Sequence, residues 1–428
     1  MKRSIAFFIM CALALHAGPV RAEEIARYAA VETVDVSRQL SGSFISTGVG
    51  ESAICVTGGT LLLRDASVVR SSDAADSAAV RSGAGAAVLA AGGRANICRS
   101  AVDTNAVGAT GLFAGAEGEI VAADVSVDTA ADTSAGLAAA DGGVLRAENL
   151  RVTTGGHASP AIWIDTGGDA SVSGGSYQTS GAASPAVDAS SEGVLRDAEL
   201  DAGGAEALAV RSGGKLLLQN CRVCGGAALA EADDTPAVLL SAYDARLEMS
   251  GGELTSRSGQ LFGMEGGAGE IVLCGVELEA EAGAILLDCA RGKPHPAGDV
   301  GAAVGRFTAI DQAMSGDVRW STGSGLEFYL SGGSVLSGAV YAGEDAVGGG
   351  YCSLYIDESS RWIVTADSTL TNLNCAGEIV DENGRSVSII GPDGTVCVQG
   401  ESAFSVTVER YSTECDMSAA GQCTQDMA

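Results

Sequence analysis

The chain has 428 residues, 54 acidic against 25 basic, and a net charge of −29 at neutral pH. A surface this negative repels phosphate backbones and anionic lipid, so nucleic acid is excluded as a partner. Gly fills 60 positions, yet apolar residues recur regularly among the charges, so the chain can bury a core instead of staying disordered.

Residues 1–22 read as a secretory signal peptide. Lys2 and Arg3 precede the apolar run Ser4–Ala17, and Val20-Arg21-Ala22 has the small-x-small form of a cleavage site. The expected location is therefore exported: periplasm, cell surface or extracellular. The run is too short to span a bilayer, and no second such run follows. Maturation leaves an odd set of cysteines in an oxidising compartment, so at least one is unpaired or bridges to another molecule. Cys415 and Cys423, close together in the polar tail, are the disulfide candidate. Cys221 and Cys224 have redox-motif spacing, but Cys221 falls on an inward position and reads as a packed thiol.

Residues 23–42 do not fit the pattern that follows and are assigned as an N-terminal cap over the first rung. From Ser43 a repeat sets in. Gly-Gly or Glu-Gly pairs begin at Gly58, Gly92, Glu117, Gly142, Gly167, Glu192 and Gly213, with four successive steps of 25 residues from Gly92 to Glu192. Eight residues on come Ala66, Val125, Leu150, Leu200 and Cys221; ten on come Val68, Val102, Val127, Val152 and Val223. Polar residues alternate with them, the period of a strand. A second strand precedes each pair, as in Ser52–Val56 and Pro160–Ile164. Ser159-Pro160, Ser184-Pro185 and Thr235-Pro236 mark one recurring corner, since proline cannot donate to a ladder. Strand, turn, strand, turn at a fixed period describes a parallel coil. About fifteen rungs stacked at about 4.8 Å would make a rod of about 70 Å.

The regular coil is assigned to residues 43–300. The Pro- and Gly-rich stretch Asp288–Asp299 reads as a protruding loop carrying Arg291, Lys293 and His295. Residues 301–411 are richer in aromatics; Cys352, Cys375 and Cys397, nearly one rung apart, are expected to stack. The turn sequences at Asp381–Gly384 and Gly391–Gly394 suggest closing hairpins. Residues 412–428 read as a loose tail.

The segments Gly174–Thr179 with Ser184–Val187, Gly251–Ser256, and Ser360–Leu370 with Gly391–Val396 make the chain resemble exported bacterial right-handed parallel β-helix proteins of pectin-lyase-like architecture. That group is described as adhesin-like or carbohydrate-binding. The likeness covers nearly the whole mature chain and implies an all-β, single right-handed parallel β-helix, capped at both ends. It is specific for architecture, and one coil hosts many activities.

Enzymes of this architecture cut acidic polysaccharides. Asp233-Asp234 matches one polygalacturonase-like segment, but Gly-His-Gly, Asn-Thr-Asp and Arg-Ile-Lys are missing. Only His157 and His295 survive maturation, so no catalytic residue is assigned. No calcium-binding repeat occurs; scattered acids would bind Ca²⁺ weakly, and no metal site or cofactor is read. Sugar binding uses aromatic faces with polar neighbours. Trp163 alternates with Ile162 and Ile164, so it faces outward if they are core. Trp320, Tyr329, Tyr341 and Trp362 form a candidate outward stripe, with stacking inside the core as the competing reading. Arg291 and Lys293 are candidate partners for a uronate. The sequence thus reads as a rigid, non-enzymatic rod binding glycan or a surface protein. A polysaccharide lyase or hydrolase is the alternative, and a structural subunit of a surface assembly the second.

Overall fold

The computed structural model describes residues 28–73, 76–227, 235–241, 244–265, 268–281, 283–289, 304–321, 325–343 and 350–424. The stretch read as a signal peptide, and Arg291 and Lys293 of the stretch read as a protruding loop, lie outside these residues. The fold is a parallel β-helix: a 13-stranded sheet, a 25-stranded sheet and a 4-stranded sheet wind around one core. One column of parallel pairings runs through fifteen levels, from Arg38–Ser46 to Ser405–Ser412. Among the described residues no helix is long and apolar enough to cross a membrane.

Each regular rung has three strands where the sequence suggested two. In one rung Val144–Glu148 and Arg151–Thr154 are separated by Asn149 and Leu150, and the Asn149 φ of 52° bends the chain through a corner. Asp124, Asp197 and Asn220 repeat this left-handed conformation at the same point. Asp and Asn tolerate it because a short polar side chain can bond locally; the Asn149 amide donates to Asp124 at 2.9 Å.

The Gly-Gly pairs have a steric cause. Gly142 has a φ of 74°, and a Cβ on Gly143 would stand 2.0 Å from the Ala114 carbonyl oxygen one rung away. Glu192-Gly193, read as one of these turns, instead opens the strand Glu192–Arg196, with Asp169 opposite Glu192. That rung is two residues shorter than the 25-residue step. An even deletion preserves strand parity, so Leu195 and Leu200 still face the core.

The Ser-Pro corner is a hydroxyl ladder. Ser134 N–H donates to Ser159 Oγ, and Ser159 N–H to Ser184 Oγ, at 3.0 and 2.9 Å. Beside it, buried Thr104, Thr129, Thr154 and Thr179 each donate to the carbonyl five residues on. These bonds satisfy backbone groups that a tight corner would otherwise bury unpaired.

The ends depart from expectation. The described part of residues 23–42 is built as a rung: Ala29–Val34 pairs in parallel with Glu51–Val56, and Arg38–Ser46 with Thr60–Arg70. Glu32 and Arg38 occupy inward columns, opposite Ile54 and Leu61, and form an ion pair over the first described level of the core. Inward charge is one way an exposed sheet edge is blunted. A short helix, Ser77–Ser82, missing from the sequence reading, is capped by Asp76 accepting from Ala79 N–H at 2.9 Å. At the far end Ser388–Ile390 and Val396–Val398 form an antiparallel pair. Cys352 and Cys375 are buried without stacking, since Ile356 is the residue opposite Cys375, and Cys397 is exposed on the hairpin.

The tail is not loose as far as Thr424. Cys423 is joined to Cys274, not to Cys415, which is free of any disulfide. The Cys415 thiol instead lies near Ile356 and Ala376. The chain turns back after the last rung and runs across the outside of the sheet, which carries Cys423 far from Cys415 and onto the end of the strand Ala268–Cys274.

Candidate functional site

The aromatic candidates separate into three environments. Trp320 and Trp362 point inward. Trp362 is 0% exposed and donates its indole N–H to the Gly338 carbonyl at 2.9 Å. Trp320, 6% exposed, donates to Thr369 at 3.2 Å. Neither ring offers a face to a ligand, which corrects the outward-stripe reading for both. They belong to the main core, in which Phe262, Phe307 and Phe328 also pack edge to face.

Trp163 and Tyr341 lie on the outer face of the 13-stranded sheet, in one column of paired residues. Ile162 and Ile164 are buried in the core, so Trp163 faces outward, half-buried and edge-on to Phe113 at 6.2 Å. The next residue in the column, Asp188, accepts two bonds from Arg211 at 2.8 and 2.9 Å. Nearby, burial raises the Glu206 carboxyl above its ordinary range and Asp188 adds to the shift, against the Arg211 charge. Seven steps along the column, about 34 Å away at strand spacing, Tyr341 neighbours the Asp288–Arg319 ion pair. The sheet thus puts the two aromatics on one face but not in one site.

Tyr329 also faces away from the core, on the other sheet, but is only 2% exposed. Its ring stacks on Tyr355 at 4.5 Å and 10°. As a lone ligand platform it is covered; its partner Tyr355 reaches the surface.

That surface is a groove of about 540 Å³ lined by Tyr355, Asn372, Asn374, Arg410, Tyr411 and Ser412. Strand alternation builds it. Leu373 is buried, which turns Asn372 and Asn374 outward, and the register sets Arg410 beside Asn372 and Ser412 beside Asn374. Arg410 Nε donates to Asn372 Oδ1 at 2.7 Å, and Asn372 Nδ2 donates to Ser353 Oγ at 2.7 Å. The Asn372 amide is held by both its atoms, so the orientation of Asn372 and Arg410 is fixed before any ligand arrives. The groove therefore combines an aromatic floor with planar amides and a guanidinium. The sequence reading missed Asn372, Asn374, Arg410 and Tyr411; the signal was the Asn-Leu-Asn alternation in a terminal rung.

A second depression of about 470 Å³, at Asn149, Arg151, Gln178 and Glu199, has no aromatic lining. Among the described residues no group of three His, Cys, Asp or Glu side chains could hold a metal ion. Cys221 is buried, with its thiol raised by that burial, and is not bonded to Cys224. No protein-family model and no curated protein matches the chain.

Proposed function

We propose that the protein is an exported, non-enzymatic rod of the adhesin-like β-helix kind that binds glycan in the groove at its C-terminal end. The observation that carries this reading is the groove itself. Tyr355 supplies a ring face backed by a second ring, which suits the C–H face of a sugar. Asn374 and Arg410 supply donors and an acceptor at its rim, which suits hydroxyls. The parallel coil is the support: successive rungs hold these groups on rigid strands instead of loops.

The test is a glycan array followed by calorimetry on the mature chain, with Arg410→Ala and Asn374→Ala beside Trp163→Ala. The expected result is saturable binding that falls at least tenfold in the first two and is unchanged in the third. Retention of full affinity in Arg410→Ala and Asn374→Ala overturns the assignment.

One observation favours a second reading, a glycoside hydrolase at Trp163. Glu206, whose carboxyl burial raises, lies near Asp188, which Arg211 holds by two hydrogen bonds, so two carboxyls sit in unlike surroundings. Release of reducing ends from the bound glycan, abolished by Glu206→Gln, would place the chemistry there.

A further inference from the structure

The segment that follows the last rung covers the surface beside the groove. Opposite one another in register, Asn374, Tyr355, Tyr329, Thr308, Val272 and Glu248 form a single outward column. Val272 and Thr308 are 0% exposed although both face away from the core. Their cover is the chain itself. Gly421 N–H donates to Thr308 Oγ1 at 2.9 Å, Thr424 bonds the Glu248 carboxylate through its N–H and its hydroxyl, and Cys423 is bonded to Cys274. Upstream, Cys415 sits at the ends of the strands that carry Tyr355 and Asn374. Between these anchors the segment goes from the Tyr355 strand to the Thr308 strand, with the Tyr329 strand between them, and its path from Ser412 to Thr424 spans six strand spacings, about 29 Å.

We propose that residues 413–424 are a disulfide-latched strap lying over the continuation of the groove. Releasing the strap uncovers Tyr329, Thr308 and Val272 and lengthens the site into a track for a linear, neutral oligosaccharide. The ligand rests on the glycan reading of the groove; the latch does not.

Three features make the strap separable. Its contacts to the column are side-chain bonds and one covalent bond, with no strand pairing among the described residues. Cys274 and Cys423 are both partly exposed, so the bond is open to thiol exchange. A thiolate of an external dithiol attacks Cys423 Sγ, and Cys274 leaves as a thiolate and takes up a proton. The second external thiol then resolves the mixed disulfide, freeing Cys423 as a thiol and leaving the dithiol oxidised by two electrons. Finally, the row beneath is not built like a core surface: it holds a stacked Tyr pair, a hydroxyl and a carboxylate.

The experiment is hydroxyl-radical footprinting of the full mature chain, oxidised and dithiol-treated, with Cys423→Ser and Gly421→Val as variants. A Cβ on Gly421 would stand 2.4 Å from Val272 Cγ2, so that substitution lifts the strap with the disulfide intact. Oxidation of Tyr329 is expected to rise several-fold on reduction and in both variants. Cello- and malto-oligosaccharides of graded length are titrated in parallel. Released protein is expected to favour longer chains, while the latched protein binds short and long ones alike. Unchanged Tyr329 labelling with Cys423 shown to be a free thiol overturns the latch. Labelled Tyr329 with no gain for longer chains, in a protein that still binds short ones, overturns the extended track. Loss of all oligosaccharide binding in both states counts against the groove reading and removes the track with it, while Tyr329 labelling still decides the latch.

Discussion

Trp362 and Trp163 make a matched pair that separates core from surface. Trp362→Ala removes a fully enclosed indole, and Phe/Trp-to-Ala changes in cores cost about 3–5 kcal/mol. It also strands the Gly338 carbonyl, which accepts the indole N–H at 2.9 Å; an unsatisfied buried acceptor adds about 1 kcal/mol or more. Trp163 is half-buried, outside the main core, with one edge contact to Phe113. An aromatic pair contributes about 0.5–1.5 kcal/mol beyond its area, so Trp163→Ala is expected to cost about 1–2 kcal/mol. The assay is urea unfolding followed by far-ultraviolet circular dichroism, comparing midpoints at constant slope. Trp362→Ala should move the midpoint at least twice as far as Trp163→Ala. A Trp362→Ala shift below about 1 kcal/mol, with a native spectrum, would refute the inward placement and return this residue to the list of ligand contacts.

Three further outcomes follow from the same geometry. Ser184→Ala removes the acceptor of the Ser159 N–H and the donor to the Gly156 carbonyl. It should cost about 1–3 kcal/mol in the same unfolding assay, whereas the exposed Ser418→Ala should cost almost nothing. Glu32→Val with Arg38→Val replaces the charges over the first rung by apolar side chains, and sedimentation should show end-to-end association that the wild type lacks. Asp381 gives an acid-sensitive closing turn. Burial pushes its carboxyl up, but the N–H groups of Arg385 and Asn383, the Ser402 hydroxyl and the Arg385 guanidinium outweigh that and hold it at about 2. Because the folded value lies below the unfolded value of about 3.9, its contribution is full above the unfolded value and is lost as pH falls through the folded one. Asp381→Asn should therefore lose less stability than the wild type between about pH 4 and about pH 2, as read by thermal melts across that range.

The coil itself was legible because a solenoid writes its fold locally. Gly142-Gly143 and its counterparts state the rung period, since only a residue without Cβ fits against the carbonyl one level away. Alternation around Val127 and Val152 states which side is core, and that parity survived even the misplaced turn at Glu192-Gly193. The Asp and Asn corners were equally readable, and passing over them reduced three strands per rung to two.

Other features depend on which residues meet across many rungs. Alternation says that Trp362 and Ile363 face opposite ways, but not which of them is inside; the tertiary structure encloses Trp362 completely and leaves Ile363 half-buried. Whether an outward Tyr329 is free depends on a chain segment about 90 residues later, and local pattern has no information about that return path. Cys423 was near Cys415 by number, and the strap carried it to Cys274, at a sequence separation of 149. The sequence by itself determined the period, the inward face and the rigid rod. The tertiary structure decided what the outward faces hold, because their neighbours come from other rungs and from the tail.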